Sequence, residues 1–178
     1  MRLGLVSDIH CNLEALDIAL ERMSGQVDEV LCSGDSIFQF RFSNEVIGRL
    51  REIGARIILG NHEDVVFSPL GERVREHGST DSELLKWLSE QPRRIDTVID
   101  GKKLTMFHAC PDQPPYEYIY EGSPRLKEFG EIGADYVVYG HTHYELLTRV
   151  NSTLVINPGS TGQARNPSNG LRVSYAIL

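Results

Sequence analysis

The sequence predicts an α/β fold in which two packed β-sheets carry helices on their outer faces. In the first half of the chain, short apolar runs alternate with segments of helical periodicity, a pattern typical of parallel strands joined by crossover helices. The second half is rich in strand signals. The chain has 178 residues without an internal repeat or low-complexity tract. This length suits a single domain, spanning residues 1–178, that buries about 70% of its unfolded surface.

Three strands are predicted in the first half, each a short apolar run. They cover residues 2–7, 27–32 and 55–59. The helix between the first two begins after Asn12, a suitable N-cap, and carries apolar residues at helical spacing as far as Met23. A second helix has its apolar face at residues 46, 47, 50 and 53 and ends at Gly54. Helices of this length between strands imply a parallel arrangement.

The second half begins with a polar stretch and continues mainly as strands. Residues 67–80 show no clear period, whereas residues 81–89 form a predicted helix that Pro92 ends. Residues 95–99 and 104–107 form a predicted hairpin around Asp100-Gly101, because this dipeptide favours a tight turn. A short helix is predicted at residues 123–129, with Pro124 at its first position. The remaining predicted strands are residues 136–139, 145–150, 153–156 and 173–177.

Composition and charge exclude several classes of function. The chain has 18 Lys and Arg against 25 Asp and Glu, a formal charge of -7, so binding to duplex nucleic acid is not expected. A small anionic substrate is still compatible with this negative charge, because bound cations would make a binding site locally positive. No segment approaches the roughly 20 apolar residues of a membrane span, and no signal peptide is recognised. Three cysteines without a CxxC pair indicate a reducing cytoplasm. The oligomeric state stays open.

Five of the six histidines lie in short polar clusters that follow predicted strands, and only His77 lies elsewhere. Together with one further strand end, the clusters are Ser7-Asp8-Ile9-His10, Gly34-Asp35, Gly60-Asn61-His62-Glu63, Phe107-His108 and Gly140-His141-Thr142-His143. Strand ends at one edge of an α/β sheet are where ligand sites collect, so these clusters predict one shared site. Carboxylate and imidazole ligands together favour Mn, Fe, Co, Ni or Zn over Ca or Mg. The predicted occupants are two divalent metal ions.

The spacing within the clusters suits metal ligation. Asp8 and His10 are two residues apart, so in an extended segment both side chains would point to the same side. Asp35 could bridge two cations with its two carboxylate oxygens, and the preceding Gly34 would let the backbone approach closely. A lone histidine is more often a core or surface residue than a ligand. Five clusters in order, each at a strand end, make ligation the stronger interpretation.

These clusters resemble, in order, the signature of the calcineurin-like metallophosphoesterases, which reads DxH, GD, GNH[DE], a lone H and GHxH. The resemblance covers residues 3–160 at least. It is strongest to the small single-domain bacterial and archaeal phosphodiesterase-type branch, where the segment Asn157-Pro158-Gly159-Ser160 is also typical. The resemblance implies a four-layer α/β/β/α sandwich of two mixed β-sheets flanked by helices.

The resemblance also implies a role for each residue that matches the signature. The first metal would be held by Asp8, His10 and His143, and the second by Asn61, His108 and His141, with Asp35 between them. Manganese is the expected metal, and iron, zinc, nickel and cobalt are alternatives. A hydroxide bridging the two metals would attack the phosphoester. His62 is implied to be catalytic, stabilising the phosphoryl charge or protonating the leaving group, while Glu63 would orient His62 or cap the next helix.

Two positions depart from the family pattern. Glycine usually follows the DxH motif and the lone histidine, whereas this chain has Cys11 and Ala109, the latter followed by Cys110. We favour the interpretation that both cysteines act as small apolar residues. In the alternative, a thiol reaches the pocket, where a metal would favour the thiolate and make the site sensitive to oxidation.

Three further residues are candidates for substrate binding. Arg41, among aromatic residues, and Arg165, after the Asn-Pro-Gly-Ser segment, could each meet a substrate phosphate. Tyr116 alternates with Tyr118 and Tyr120 just after His108. The three rings could form a stacking platform for a nucleobase or aryl ester, although loop packing is the favoured interpretation.

The main hypothesis is therefore a cytoplasmic, dinuclear metal-dependent phosphoesterase with a small phosphoester substrate. The preference for diesters over monoesters rests on the resemblance alone. One alternative is a non-catalytic binding or scaffold protein on the same fold, like the retromer subunit that resembles these enzymes; the intact His62 argues against it. The other is a hydrolase of nucleotide or dinucleotide polyphosphates.

Overall fold

The computed structural model describes residues 1–112 and 116–178. The strands of these residues are β1 (Leu3–Val6), β2 (Glu29–Cys32), β3 (Arg56–Ile57), β4 (Arg94–Ile99), β5 (Lys102–Phe107), β6 (Tyr136–Val138), β7 (Glu145–Val150), β8 (Thr153–Pro158) and β9 (Ala176–Ile177). The α-helices are α1 (Leu13–Met23), α2 (Asn44–Glu52), α3 (Asn61–Phe67), α4 (Glu72–Arg75), α5 (Ser82–Ser89) and α6 (Leu126–Phe129). None of the helices in these two ranges is long and apolar enough to cross a membrane.

The strands form two mixed sheets. The first has the order β3-β2-β1-β9, in which β1, β2 and β3 are parallel and β9 is antiparallel to β1. The second has the order β4-β5-β6-β8-β7, in which β5, β6 and β8 are parallel and the two edge strands are antiparallel. The prediction of two mixed sheets is confirmed.

The two sheets pack face to face with helices outside, which confirms the four-layer architecture. Between the sheets, Leu3 and Leu5 of β1 join a cluster with residues of the second sheet such as Met106 and Val138. Because side chains alternate along a strand, Gly4 faces the other way, toward α1. A Cβ at Gly4 would lie 2.7 Å from the sulfur of Met23, so glycine allows this helix to pack close to the sheet.

Several local predictions are confirmed. Asn12 caps α1, with its Oδ1 accepting a hydrogen bond of 3.1 Å from the backbone N–H of Ala15. The hairpin turns at Asp100 (φ 48) and Gly101 (φ 78), and positive φ at both central residues matches the twist of the flanking strands.

The largest difference from the sequence prediction lies between β3 and α5. Helix α3 begins directly at Asn61, and a 3₁₀ turn and α4 follow within the stretch predicted to be irregular. In α3 only Glu63 and Val66 are buried, so the helix lacks the apolar stripe that periodicity detects. The helix predicted at residues 123–129 is restricted to α6, and the last strand, β9, has two residues.

Candidate metal centre

The predicted metal ligands converge at the carboxyl ends of the parallel strands. Three overlapping groups place their ligand atoms within 4.8 Å of one another: Asp8, His10 and His143; His10, Asp35 and His62; and Asp35, His108 and His141. The Oδ1 atom of Asn61 lies 3.1 Å from Nε2 of His108. All seven predicted ligands and His62 therefore line one centre, with Asp35 shared between its two ends.

At the first end, hydrogen bonds orient Asp8 and His143 toward the centre. Asp8 Oδ2 accepts from the Ser7 hydroxyl at 2.5 Å and from the backbone N–H of His141 at 3.0 Å, which leaves Oδ1 facing inward. His143 donates from Nδ1 to the carbonyl of Gln163 at 2.6 Å, so the lone pair of the neutral ring is on Nε2. This atom lies 3.2 Å from Asp8 Oδ1 and 3.1 Å from Nε2 of His10.

At the second end, backbone carbonyls orient both imidazoles. His108 donates from Nδ1 to the Ser33 carbonyl at 2.8 Å, which leaves Nε2 facing Asp35 Oδ2 at 3.2 Å. His141 contacts the carbonyl of Tyr116 through Nε2 at 3.0 Å, so its Nδ1 is the atom left for the centre. A carbonyl partner of this kind sets the tautomer and raises the basicity of a ligating histidine.

The two oxygens of Asp35 have different partners. Oδ1 accepts a hydrogen bond of 2.9 Å from the backbone N–H of His62, whereas Oδ2 lies 3.2 Å from His108 Nε2 and 3.7 Å from His62 Nε2. Each carboxylate oxygen can accept more than one partner, so bridging by both oxygens stays a prediction.

The predicted ligands converge because their backbone is left-handed, so the expectation of extended segments is wrong. Asp8 (φ 51), His10 (φ 48), Asp35 (φ 52), His141 (φ 66) and His143 (φ 61) all have positive φ. Non-glycine residues rarely adopt this region, and each instance costs on the order of 1 kcal/mol or more. The strain is concentrated at the ligands, where it turns alternate side chains into the centre.

Glycine allows the loops to approach this closely. Gly34 has φ +98, and a Cβ there would lie 2.6 Å from Nδ1 of His108, which confirms the predicted close approach. A Cβ at Gly140 would lie 2.7 Å from Asp8 Oδ2. A side chain at either position would displace a predicted ligand.

The ionisable side chains of the centre shift one another's pKa values. Burial alone would lower the pKa of His108, but the neighbouring carboxylate of Asp35 outweighs it and raises the pKa to about 10. Burial, helped by His108, lowers the pKa of His141 to about 4. Burial opposes ionisation of Asp8, yet the neighbouring imidazoles of His10 and His143 hold its pKa well below the usual value.

The donor set fits a divalent cation. Asp8 Oδ1, which faces the centre, is buried without a hydrogen-bond partner among the described residues, and buried polar atoms are rarely left in this state. The inward-facing atoms of Asp8, His10 and His143 are 3.1–3.7 Å apart. Donors around a cation with bonds of about 2.1 Å have a similar spacing, roughly 3.0–3.4 Å. The lone pairs of these inward-facing atoms converge with few protons between them, and a bound metal ion would stabilise this arrangement.

His62 is held beside the centre with its ring orientation fixed. Its Nδ1 accepts a hydrogen bond of 2.8 Å from the backbone N–H of Gln39. In the neutral ring the proton is therefore on Nε2, the atom that faces Asp35. Partial burial lowers the pKa of His62.

Glu63 caps α3 and does not orient His62. Its carboxylate accepts five hydrogen bonds, from the backbone N–H groups of Asp35, Ser36, Ile37 and Gly60 and from the Ser36 hydroxyl. Burial and the nearby Asp35 raise the pKa of Glu63. Of the two roles expected from the sequence, the structure favours the cap, which also fixes the loop after β2.

The predicted substrate-binding residues lie at different places around the centre. Arg41 is exposed and lines a cavity together with His10 and Gln163. The Tyr116 ring lies 6.3 Å from that of His108, and its hydroxyl donates to Asp64. Arg165 is exposed and donates to the side chain of Gln163 at 3.3 Å.

The tyrosines after His108 pack against a predicted ligand. Tyr118 stacks on His141 with ring centroids 4.1 Å apart, and Tyr120 stacks on Tyr118 at 6.0 Å. This arrangement agrees with the favoured interpretation of loop packing.

The two cysteines near the centre belong to none of the candidate metal groups. Cys11 donates from its thiol to the carbonyl of Arg41 at 3.3 Å, and burial raises its pKa to about 11. Burial also raises the pKa of Cys110. These shifts oppose the thiolate form and agree with the interpretation of small apolar residues.

Some contacts of the centre were not predicted from the sequence. Gln39 and Ser33 hold ring nitrogens of His62 and His108 through backbone groups, and Gln163 does so for His143. These contacts use backbone carbonyl and N–H groups, which nearly every residue type has. The pattern of side chains in the sequence therefore gives no sign of them.

Two mixed sheets with an Asp- and His-lined centre at their strand ends indicate a phosphoesterase. The chain belongs to the calcineurin-like phosphoesterase superfamily, whose domain model matches residues 1–178. A phosphodiesterase of Methanocaldococcus jannaschii is 28% identical over 168 residues, which cover 89% of this chain and 83% of the relative.

Solved structures agree with this assignment. A metallophosphoesterase from Sphaerobacter thermophilus is 28% identical and superposes with a TM-score of 0.75 over 100% of this chain and 83% of its own. Vps29 of Entamoeba histolytica, solved in complex with Zn²⁺, is 17% identical with a TM-score of 0.60, covering 100% of this chain and 85% of its own. The second likeness concerns the fold alone.

Proposed function

We propose that this protein is a dinuclear metal-dependent phosphodiesterase that hydrolyses small phosphodiesters. The observation that carries the proposal is the pair of Asp- and His-lined groups that share Asp35, with Nε2 of His62 3.7 Å from Asp35 Oδ2. The family assignment and the 28% identical phosphodiesterase support it.

Asp8, His10 and His143 would hold one metal, and Asn61, His108 and His141 the other, with Asp35 between them. When bound, two such ions lower the pKa of a coordinated water and neutralise the charge of the phosphate. Manganese is the expected metal, because mixed carboxylate and imidazole ligands suit it and its neighbours in the first transition row.

His62 supplies a proton at a defined atom. The hydrogen bond from the Gln39 N–H to Nδ1 keeps the proton of the neutral ring on Nε2, which faces the centre. From there the ring donates a hydrogen bond to a phosphoryl oxygen, or a proton to the leaving oxygen. Proton donation matters most when the leaving group is a poor one, such as an alkoxide.

The proposal is tested by metal analysis and kinetics of the purified protein. We expect two equivalents of transition metal per chain and faster turnover of bis(p-nitrophenyl) phosphate than of p-nitrophenyl phosphate when Mn²⁺ is added. The variant His62→Asn should keep its metals and lose about 10²- to 10⁴-fold in kcat.

Each part of the proposal can fail separately. Preferred turnover of the monoester would refute the diester preference. Loss of metal in His62→Asn would make His62 a ligand instead of a proton donor. Phosphorus NMR of the products distinguishes diester cleavage from cleavage of a polyphosphate.

A further inference from the structure

The segment of residues 37–42 forms a wall between the metal centre and a second cavity. Phe38 and Arg41 pair through two backbone hydrogen bonds of 3.1 and 2.9 Å, which makes a tight turn. On one side of the turn, the Phe38 ring lies 4.8 Å from that of His62 and 5.6 Å from that of His10. On the other side, Phe40 and Arg41 line the cavity.

Hydrogen bonds join the turn to residues in and around the metal centre. The N–H of Ile37 donates to Glu63 at 3.2 Å, and that of Gln39 donates to His62 at 2.8 Å. The carbonyl of Arg41 accepts from the thiol of Cys11 at 3.3 Å. The wall is therefore positioned relative to the metal centre.

The second cavity has a volume of about 690 Å³, which is the size of a small-ligand pocket. Its apolar lining includes Phe40, Phe42 and Leu70. Phe40 is 60% exposed and Leu70 is 72% exposed, so the lining has apolar surface available to a ligand. Arg41 also lines the smaller cavity beside His10, so this residue borders both spaces.

The lining carries positive charge on an acidic protein. Its ionisable residues are Arg41, Arg73 and His77, and no Asp or Glu is among the nine residues around it. The ion pairs formed within residues 1–112 and 116–178 use other arginines. With a formal charge of -7 for the whole chain, this local excess of unpaired cations favours an anionic ligand. His77, the one histidine outside the strand-end clusters, is among the residues that line this cavity.

We infer that this cavity binds the non-reacting end of the substrate, and that this end is a nucleotide carrying a terminal phosphate. Two arginines suit a phosphate, and the exposed ring of Phe40 suits an aromatic base. Arg41 lies between the cavity and the centre, so one diester could occupy both. The inference rests on the proposed function and specifies its substrate class.

The kinetic test compares two dinucleotides that differ only in the terminal group. The 5′-phosphorylated dinucleotide pApA and its unphosphorylated counterpart ApA have the same scissile bond. In the Mn²⁺-loaded wild type, kcat/KM for pApA should exceed that for ApA by about tenfold, the effect of one charged hydrogen bond. In Arg73→Gln this ratio should fall toward one. Arg51→Gln, an exposed arginine on α2 with the same loss of charge, is the matched control and should keep the wild-type ratio.

A binding measurement separates this inference from the proposed function. We expect AMP, titrated calorimetrically into the metal-loaded protein, to bind about tenfold more weakly to Arg73→Gln than to the wild type or Arg51→Gln. Phe40→Ala should weaken AMP binding and leave binding of inorganic phosphate unchanged, because only the base contacts the ring.

The outcomes are distinguishable. Equal kcat/KM for pApA and ApA in the wild type, or AMP affinity that is the same in Arg73→Gln, overturns the inference. If bis(p-nitrophenyl) phosphate is hydrolysed and both dinucleotides are not, the inference fails and the proposed function stands. If no diester is hydrolysed by metal-loaded protein, the proposed function fails, and the AMP titration alone decides the inference.

Discussion

The Glu63 carboxylate should be one of the main stabilising side chains of this protein. Its Oε1 accepts from the Ser36 N–H at 2.8 Å, the Ser36 hydroxyl at 2.7 Å and the Ile37 N–H at 3.2 Å. Its Oε2 accepts from the Asp35 N–H at 3.0 Å and the Gly60 N–H at 2.8 Å. Glu63 is fully buried, so water cannot readily replace it as the acceptor.

The variant Glu63→Gln tests this network with almost no change in volume. The amide oxygen can take the place of Oε1, but the amide NH₂ then meets the two N–H donors that Oε2 accepted from. Leaving two buried N–H groups without an acceptor costs about 1–3 kcal/mol each. Allowing for relaxation, we expect a loss of about 2–4 kcal/mol in the free energy of unfolding, or roughly 5–15 °C in Tm.

Urea unfolding followed by the fluorescence of Trp87, which packs against the core on the helical side of the first sheet, provides the assay. Chelator is added to every sample, so that differences in bound metal do not contribute. Glu76→Gln, an exposed glutamate on the surface, is the control and should be neutral. A Glu63→Gln protein within about 0.5 kcal/mol of the wild type would refute the reasoning, since that is the range of ordinary surface substitutions.

Three further predictions concern the centre itself. The pKa of His108 is raised to about 10 from an ordinary value near 6.5. In metal-free protein the protonated His108 therefore stabilises the fold in full below about pH 6.5, and this stabilisation is lost as the pH rises toward 10. Unfolding free energies across that range should fall in the wild type and stay flatter in His108→Gln; parallel curves would count against the assignment. Cys11 should react slowly with a thiol reagent at pH 7, and Cys11→Ala should keep the wild-type sensitivity of activity to peroxide; increased resistance would restore the reactive-thiol hypothesis. Gly60→Ala should bind less metal, measured by elemental analysis, because the new methyl would lie 2.7 Å from the backbone nitrogen of Asp35; full metal content would show that the loop can move.

Most of the fold was predictable because burial imposes strong patterns. β1 and β2 are apolar runs, and α1 has both a capping residue and an apolar stripe. Helix α3 was missed, because its turns carry site residues and a buried carboxylate in place of apolar core positions. The short strand β9 was overestimated, since its length depends on pairing with β1, far away in the chain.

The sequence predicted which side chains converge at the centre, but not their geometry. These side chains could be singled out because Asp, Asn and His at strand ends are distinctive and occur in order, and their role as metal ligands stays a prediction. Their orientation depends on positive φ at residues such as Asp8 and His143, and side-chain type alone does not predict these angles. The roles of Glu63 and Cys11 could be assigned only from their hydrogen-bond partners.

The α/β architecture and the set of side chains that meet at the strand ends follow from the sequence, because hydrophobic periodicity and strand-end chemistry are local properties of the chain. The folded structure was needed to show which nitrogen of His62 carries the proton and which carbonyls orient His108 and His143. It also placed Arg41 and Arg73 around one cavity. The physical reason is that these features depend on backbone groups and loops distant in sequence, whose positions are set when the two sheets and their helices pack together.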